Sequence, residues 1–454
     1  MNKEKAYKSI FLFNEEYNRI NDDYKKMCEK EAIRIISTNN KGSNNQHSIT
    51  VNNSSERNIL SKLKNNIIQF SKEKILLRDV YNFSSTSINI LSYYLKLIKK
   101  INSYKEILNK SKPSLIILPE ENTIYGSSII TKIARNLSIP SVIIPYTIAN
   151  ETEFAEIFYY SNEVKSYMDR VVTHFFPQWL YIYKKRRLIL LAYWQILILE
   201  ILKLASPRPW FVNSGFNNLI AVESPHMMKY YLDNGLEPRK LLLTGSISDD
   251  MLYNLNKASL RLKLILKKKL HLDNKPIILC MLTPSLPEKI PSDYSDYAHF
   301  IELLIDSLSK LKKYNVIYNL HPNIDRKILG YLYNYKIKIV RNDIVELIPL
   351  CDLYIASASA TIRWAIACGI PVINYDLYKY NYNDYDNING VITIENKRDF
   401  LNELKKINEN KSYISTIRNK QKLYVKEWGM MDGKSGERVL NTLNRLIEQK
   451  TKTA

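Results

Sequence analysis

Glycine is scarce in this chain, 11 of 454 residues, and neither common glycine-rich phosphate loop is present. No G-x-G-x-x-G run follows an apolar strand, which argues against an NAD-type dinucleotide site. GMMDGKS, Gly429 to Ser435, is one residue short of a P-loop, has no apolar strand before it, and reads as the turn before a last helix. Cysteine is equally thin. Cys28, Cys280, Cys351 and Cys368 make no C-x-x-C pair, and three of them lie in or beside apolar runs where a thiol packs as a small hydrophobe, the usage of a reducing compartment. No run of about 18 apolar residues occurs, so no spanning helix is expected. The first twenty residues carry only the short apolar run Ile10 to Phe13 with acidic residues behind it, which is no secretory signal. The expected location is therefore cytoplasmic, with a peripheral position on the inner face of the cell membrane as an added option.

Positive charge is abundant. Lys and Arg number 66 against 45 Asp and Glu, a formal charge of +21, which favours a polyanionic partner: nucleic acid, anionic lipid headgroups or a phosphorylated substrate. Lysine, isoleucine and asparagine are spread evenly, as coding bias also produces, and no nucleic-acid module is recognised, so no nucleic-acid partner is expected. With 45% hydrophobic and 24% charged residues the composition is globular, and the length suits two large domains.

Residues 1 to about 110 are rich in Lys, Asn and Ser, with a polar, turn-like stretch over Ser37–Arg57 and helical spacing over Asn58–Ile101. The pattern then changes to SLIILPE, a helix over Ser127–Leu137, and SVIIPYT, a strand–helix–strand unit of the kind that makes parallel sheets. KLLLTGS at Leu241 opens a second series, in which KPIILCML, NVIYNL, KIKIV, DLYIA and PVINY alternate with helices, including one over Arg326–Tyr335. The expectation is an α/β chain of two Rossmann-like, doubly wound domains facing a cleft: 1–240, 241–436, and a closing helix and tail over 437–454.

Between the two series lies FFPQWLYIYKKRRLILLAYWQILILEILKLASPRPW. Its basic cluster Lys184 to Arg187 precedes an apolar run, 188–202, that reads as a buried helix. The alternative is an interfacial segment over 179–210, since Trp179, Trp194 and Trp210 beside lysines and arginines suit a headgroup layer.

In open parallel sheets ligands bind beyond the carboxyl ends of the strands. Thr283 and Ser285 follow the first strand of the second series, His321, Pro322 and Asn323 the next, Ser357, Ser359 and Thr361 a later one, and Asp376 the last. Hydroxyls and amides at a helix start suit a phosphate, although Ser and Thr also serve as ordinary helix caps. An imidazole at a strand end can donate a hydrogen bond or a proton to phosphate oxygen. In the first domain Glu120 and Glu121 end a strand, where a carboxylate can take the proton of an acceptor hydroxyl. The Asp384-Tyr385-Asp386 triplet has a metal-binding form but lies in a Tyr/Asn-rich loop, and no metal or other cofactor is expected.

These residues carry a resemblance. TGSISDDML, LTPS, HPN, SASATIRWAIACGIPVINYD and DGKSGERV make roughly residues 215–440 similar to bacterial glycosyltransferases of the GT-B fold that build capsule and lipopolysaccharide, and PEEN with SIPSVIIPYTIAN extends the likeness into the first domain. The His-Pro pair with a downstream Ser/Thr cluster resembles transferases of CMP-activated acidic sugars, of the sialic-acid or Kdo type. The resemblance implies an inverting, metal-independent transfer to a surface-polysaccharide or lipid-linked acceptor, with a nucleotide-sugar donor as partner and an anionic membrane surface nearby. It places His321, Ser357, Ser359 and Thr361 on the donor phosphate and Glu121, with Glu120 beside it, as base. The chain departs from the family's acidic-acidic-Gly motif by carrying Asn122. The competing expectations are a UDP-sugar 2-epimerase-like isomerase, in which a His-Pro-Asn motif also occurs, and a non-catalytic glycan assembly protein at the membrane surface.

Overall fold

A computed structural model describes residues 10–13, 34–37, 77–124, 126–150, 152–159, 161–283, 293–321, 324, 332, 335, 337–381 and 384–453. The chain divides into two units, Met1–Lys112 and Pro113–Ala454. In the first, β1 (Ile10–Phe13) and β2 (Arg34–Ser37) pair in parallel, and a helix covers Leu77–Ser111. The helical spacing expected over Asn58–Ile101 thus meets a helix from Leu77 onward that continues ten residues past Ile101; residues 58–76 and 38–57 lie outside the described residues.

The second unit holds two parallel sheets. The first is built from β3 (Ile116–Leu118) and β4 (Ser141–Ile143), followed after a small hairpin, β5 (Leu180–Tyr183) with β6 (Arg186–Ile189), by β7 (Leu219–Val222) and β8 (Leu241–Leu243). Its order is β3-β4-β7-β8, every pair parallel. β4 and β7 are buried along their whole length, as sheets covered on both faces require, and the helix Ser127–Asn136 buries Ile129, Ile130 and Ile133 at helical spacing.

Two expectations change here. Leu241–Leu243 pairs with β7 at the edge of the first sheet, so KLLLTGS closes the first strand series and the boundary drawn at 240 falls before a strand of the first sheet. The run 188–202, expected as one buried helix, begins in a strand: Leu188 and Ile189 belong to the β5–β6 hairpin, and the helix covers Tyr193–Ile201. Lys184 (φ 44°) and Lys185 (φ 65°) form the hairpin tip, both in the left-handed region that the tight turn requires. Lysine there costs about 1–2 kcal/mol per residue, where Asn or Gly would cost less. The run 188–202 sends Leu188, Ile189, Leu190, Ile196 and Leu199 into the core and leaves Ile201 exposed. Trp179 and Trp210 are buried as well, with Trp179 Nε1 donating to Glu200 Oε1 at 2.6 Å and Trp210 Nε1 donating to the Trp179 carbonyl at 3.0 Å. They are packing residues, not the headgroup anchors of the interfacial alternative.

The second sheet comprises β9 (Ile277–Leu282), β10 (Asn315–Leu320), β11 (Lys338–Val340), β12 (Leu353–Ala356), β13 (Val372–Tyr375) and β14 (Val391–Ile394), all parallel in the order β11-β10-β9-β12-β13-β14. All six residues of β9 are buried. Cutting Ile278 or Leu279 back to Ala would cost about 2–5 kcal/mol. From β9 the chain winds outward to β11, returns to β12 on the other flank of β9, and winds outward again to β14. Strand order therefore reverses between β9 and β12. The helix expected over Arg326–Tyr335 lies almost wholly outside the described residues.

The closing turn and helix join the two sheets. Asp250, on the helix Ile247–Lys257 after β8, accepts from Ser435 N (2.8 Å) and Gly436 N (2.7 Å), capping the helix Ser435–Thr453 with a carboxylate where the dipole favours one. Arg438 Nε donates to the Thr244 carbonyl at 2.6 Å. Gly245 (φ 79°) makes this approach possible, because a β-carbon there would collide with Ser435 Oγ. The TGSISDD and DGKSGER segments are thus one packed joint. Loops from the carboxyl edges also meet: Asn150, after β4, donates to Asp384, after β13, at 2.6 Å. The architecture is α/β, with two Rossmann-like parallel sheets whose carboxyl-edge loops approach each other.

Candidate functional site

The candidate site lies at the reversal between β9 and β12, the place in an open parallel sheet where ligands bind beyond the carboxyl edge. Register aligns its residues. Leu282 pairs with Leu320, so Thr283 and His321 stand level, and Cys280 pairs with Ile355, so Ser357 stands level with Leu282. Ala356 pairs with Asn374, which puts Asp376 level with Ala358. With neighbouring strands about 4.8 Å apart, the His321, Thr283, Ser357 and Asp376 strand ends span roughly 15 Å.

Thr283 is buried; its hydroxyl accepts from Tyr378 OH at 3.0 Å and its carbonyl accepts from Tyr297 OH. His321 is half-buried, its amide donates to the Leu282 carbonyl at 3.1 Å, and burial lowers the pKa of its imidazole, so the ring is neutral near pH 7. Asp376 accepts from Tyr380 N (3.1 Å) and Asn381 N (2.8 Å), and its pKa is raised by burial. Ala358 takes φ 41° and its amide donates to Asn374 Oδ1 at 2.9 Å, which turns the chain sharply after Ser357.

Ser357 Oγ is buried and meets no hydrogen-bond partner among the described residues. A hydroxyl in that state costs roughly 1–3 kcal/mol, so its persistence at the strand reversal is a functional signal. Ser359 and Thr361 differ from it. Their hydroxyls lie 2.8 Å apart, and Thr361 Oγ1 is 2.6 Å from Tyr354 OH. The first amides of the short helix Ile362–Ala367 are engaged in the preceding turn, Ile362 N to Ser359 O and Arg363 N to Ala360 O. The hydroxyls, rather than those amides, are what this segment offers a ligand. Ser285, Pro322 and Asn323 lie outside the described residues.

On the first sheet the two glutamates part company. Glu121 is buried, and its carboxylate accepts from Thr131 Oγ1, Phe216 N (2.6 Å), Asn217 N (3.2 Å) and Asn217 Nδ2. Its own amide and carbonyl are exchanged with Asn213 at 2.8 and 2.7 Å. Gly215 is glycine because a β-carbon would strike this carboxylate. Lone pairs held by four donors are poorly placed to receive a proton, so the base role read onto Glu121 gives way to a structural one. Glu120 is half-buried, and its pKa is raised by burial against the lowering effect of hydrogen bonds from Asn122 and Tyr146.

One residue was missed in the sequence. Glu223 follows β7 as Glu120 follows β3, is 2% exposed, and has no hydrogen-bond partner on either oxygen among the described residues. Burial pushes its pKa up to about 7, and the charge of Arg363 pulls the other way. Arg363 is itself buried and paired with Asp249 at 3.2 Å. LIAVESP carried the signal, an apolar run ending in a carboxylate just as LIILPEE does. Next to it His226 stacks on Trp428, ring centroids 4.0 Å apart. Asp384 of the Asp-x-Asp triplet is engaged with Asn150, and no group of three His, Cys, Asp or Glu side chains that could hold a metal occurs among the described residues.

No protein-family model and no curated protein matches the chain. Solved structures with a similar backbone include a UDP-GlcNAc 2-epimerase from Neisseria meningitidis bound to UDP-GlcNAc, at 13% identity over 77% of this chain and 82% of that one, TM-score 0.47. S. aureus MnaA in a co-structure with UDP is similar at 12% identity over 97% and 96%, TM-score 0.47. The wall teichoic acid polymerase TagF is similar at 14% identity and TM-score 0.39 over 52% of this chain, which spans 59% of the TagF chain.

Proposed function

We propose that the chain is a GT-B-type glycosyltransferase that binds a nucleotide sugar at the β9–β12 reversal and transfers the sugar, with inversion and without a metal, to a surface-polysaccharide or lipid-linked glycan acceptor. The observation that carries this reading is the buried Ser357 hydroxyl at the strand reversal, unpartnered among the described residues and level with Leu282, one position before Thr283 and His321. Glu120 takes the proton of the acceptor hydroxyl as that oxygen bonds to the anomeric carbon and the carbon–phosphate-oxygen bond breaks. The departing phosphate carries the charge away, met by hydrogen bonds from the neutral His321 ring and the Ser357, Ser359 and Thr361 hydroxyls. A CMP-linked acidic sugar is the favoured donor, on the His-Pro pair and the Ser/Thr cluster downstream of it.

Thermal unfolding with CMP, CDP, UDP and GDP tests the site, since a ligand at 100 times its Kd stabilises by about 2.7 kcal/mol. Ser357→Ala should leave the free chain at least as stable as before, since it removes an unsatisfied hydroxyl, and shrink the shift given by the cognate nucleotide. No shift with any nucleotide, or an undiminished shift in the variant, counts against the site. Release of free nucleotide only when an acceptor is added supports transfer, whereas isomerised nucleotide sugar without an acceptor moves the reading to an epimerase.

A further inference from the structure

We propose that the small layer formed by residues 162–203 is a docking face for an anionic lipid bilayer. It rests on the exposed side chains of that layer and not on the identity of the donor. The layer is firmly built: Val164 N donates to the Arg187 carbonyl and Ile189 N to the Asn162 carbonyl, both at 2.8 Å, so β6 is bridged on the side away from β5. The helices Tyr167–Phe175 and Tyr193–Ile201 pack against each other beside it.

This layer has a full core in Trp179, Leu188, Leu190 and Ile196, yet it leaves five large apolar side chains exposed, four of them by more than two thirds. Tyr167 is 77% exposed, Phe175 70%, Ile182 69% and Ile201 76%. Positive charge dominates this stretch of chain, with eight Lys and Arg against four Asp and Glu between residues 156 and 210. Ile182 stands directly opposite Arg187 across the hairpin, so an apolar and a cationic side chain share one exposed face next to the tip. Lys184 is committed to Glu156 at 2.6 Å, and Arg186 lies over the Tyr159 ring at 4.5 Å, which braces the base of the tip. Lys185 and Arg187 remain exposed. Exposed apolar side chains and exposed cations in one layer, side by side at Ile182 and Arg187, match the apolar boundary and the anionic headgroups of a bilayer leaflet, where each Lys or Arg adds attraction that salt screens. The occupant argued from this charge is a lipid surface, not a second copy of a chain that itself carries +21.

Flotation of the full chain with phosphatidylcholine vesicles, with and without phosphatidylglycerol, tests the proposal. Binding should require the anionic lipid and fall with added salt. Lys185→Gln with Arg187→Gln should weaken it about 25-fold, fivefold per cation. Ile182→Ser should weaken it with the charges intact. Equal binding to both vesicle types overturns the proposal, as does undiminished binding by the double variant with an unchanged melting temperature. A chain that ignores vesicles and sediments as a dimer dissociated by Ile182→Ser assigns the face to self-association and overturns it as well.

Discussion

Glu120 and Glu121 are adjacent in sequence and opposite in role, and replacing each by Gln separates chemistry from architecture. Glu121→Gln keeps the volume of the side chain but offers one acceptor oxygen to donors that now hold two: Thr131 Oγ1, Phe216 N, Asn217 N and Asn217 Nδ2. The new amide turns its own N–H groups toward at least two of these donors. Each lost hydrogen bond to a charged group is worth about 1.5–3 kcal/mol, so losing two should cost roughly 3–6 kcal/mol. That corresponds to a melting temperature lower by on the order of 10 °C in calorimetry. Glu120→Gln alters a half-buried side chain and should cost less than about 1 kcal/mol, while lowering sugar transfer about 100-fold or more through loss of the base. A Glu121→Gln chain that melts with the wild type would refute the assignment, and so would a Glu120→Gln chain that transfers sugar within a factor of about three of it.

The remaining predictions concern titration and the donor phosphate. The Glu223 pKa is raised from 4.5 to about 7 in the folded chain, so the unfolded chain loses this proton first, and the group's contribution to stability is full at low pH and is lost as pH rises from about 4.5 to about 7. Glu223→Gln removes that loss and should stabilise the chain at about pH 8 by on the order of 3 kcal/mol relative to wild type, with little difference near pH 4; melting curves that stay parallel across this range would show that Glu223 titrates normally. His321→Ala should leave the melting temperature nearly unchanged and lower kcat/KM by roughly 10- to 150-fold, the loss of about 1.5–3 kcal/mol of hydrogen bonding to phosphate. Activity within about threefold of wild type would remove His321 from the site.

The second sheet was largely legible because its strands are short, mostly apolar and punctuated. IILCML, VIYNL and LYIA each end at a polar or proline-bearing loop, and residues buried on both faces leave no ambiguity of period. β14 was not anticipated, since VITI lies only partly buried at the sheet edge between polar residues. The pairing of Leu241–Leu243 was invisible for another reason. Nothing within KLLLTGS says which sheet it joins, because a parallel partner is chosen by the crossover and not by the strand itself. The hairpin at Lys184-Lys185 hid because it lacks the Gly, Asn or Asp by which such a turn is recognised. At the candidate site the strand ends could be read from the sequence. Which of two neighbouring glutamates turns inward could not, because that depends on Asn213, Phe216 and Asn217, more than 90 residues away.

Lys450, on the helix Ser435–Thr453, reaches back to donate to the Pro113 carbonyl at 2.7 Å, across 337 positions of sequence. The unit that begins at Pro113 is therefore nearly a closed ring. During synthesis the TGSISDD segment emerges well before the DGKSGER segment that completes its joint, so it waits for the last stretch of the unit, a long-range closure of the kind that slows folding. The same closeness makes the unit a candidate for circular permutation. A short flexible linker joining residue 450 to residue 113, with new ends opened in the exposed turn at Asn410-Lys411, would preserve both parallel sheets while making the closing helix the immediate neighbour of β3 along the chain.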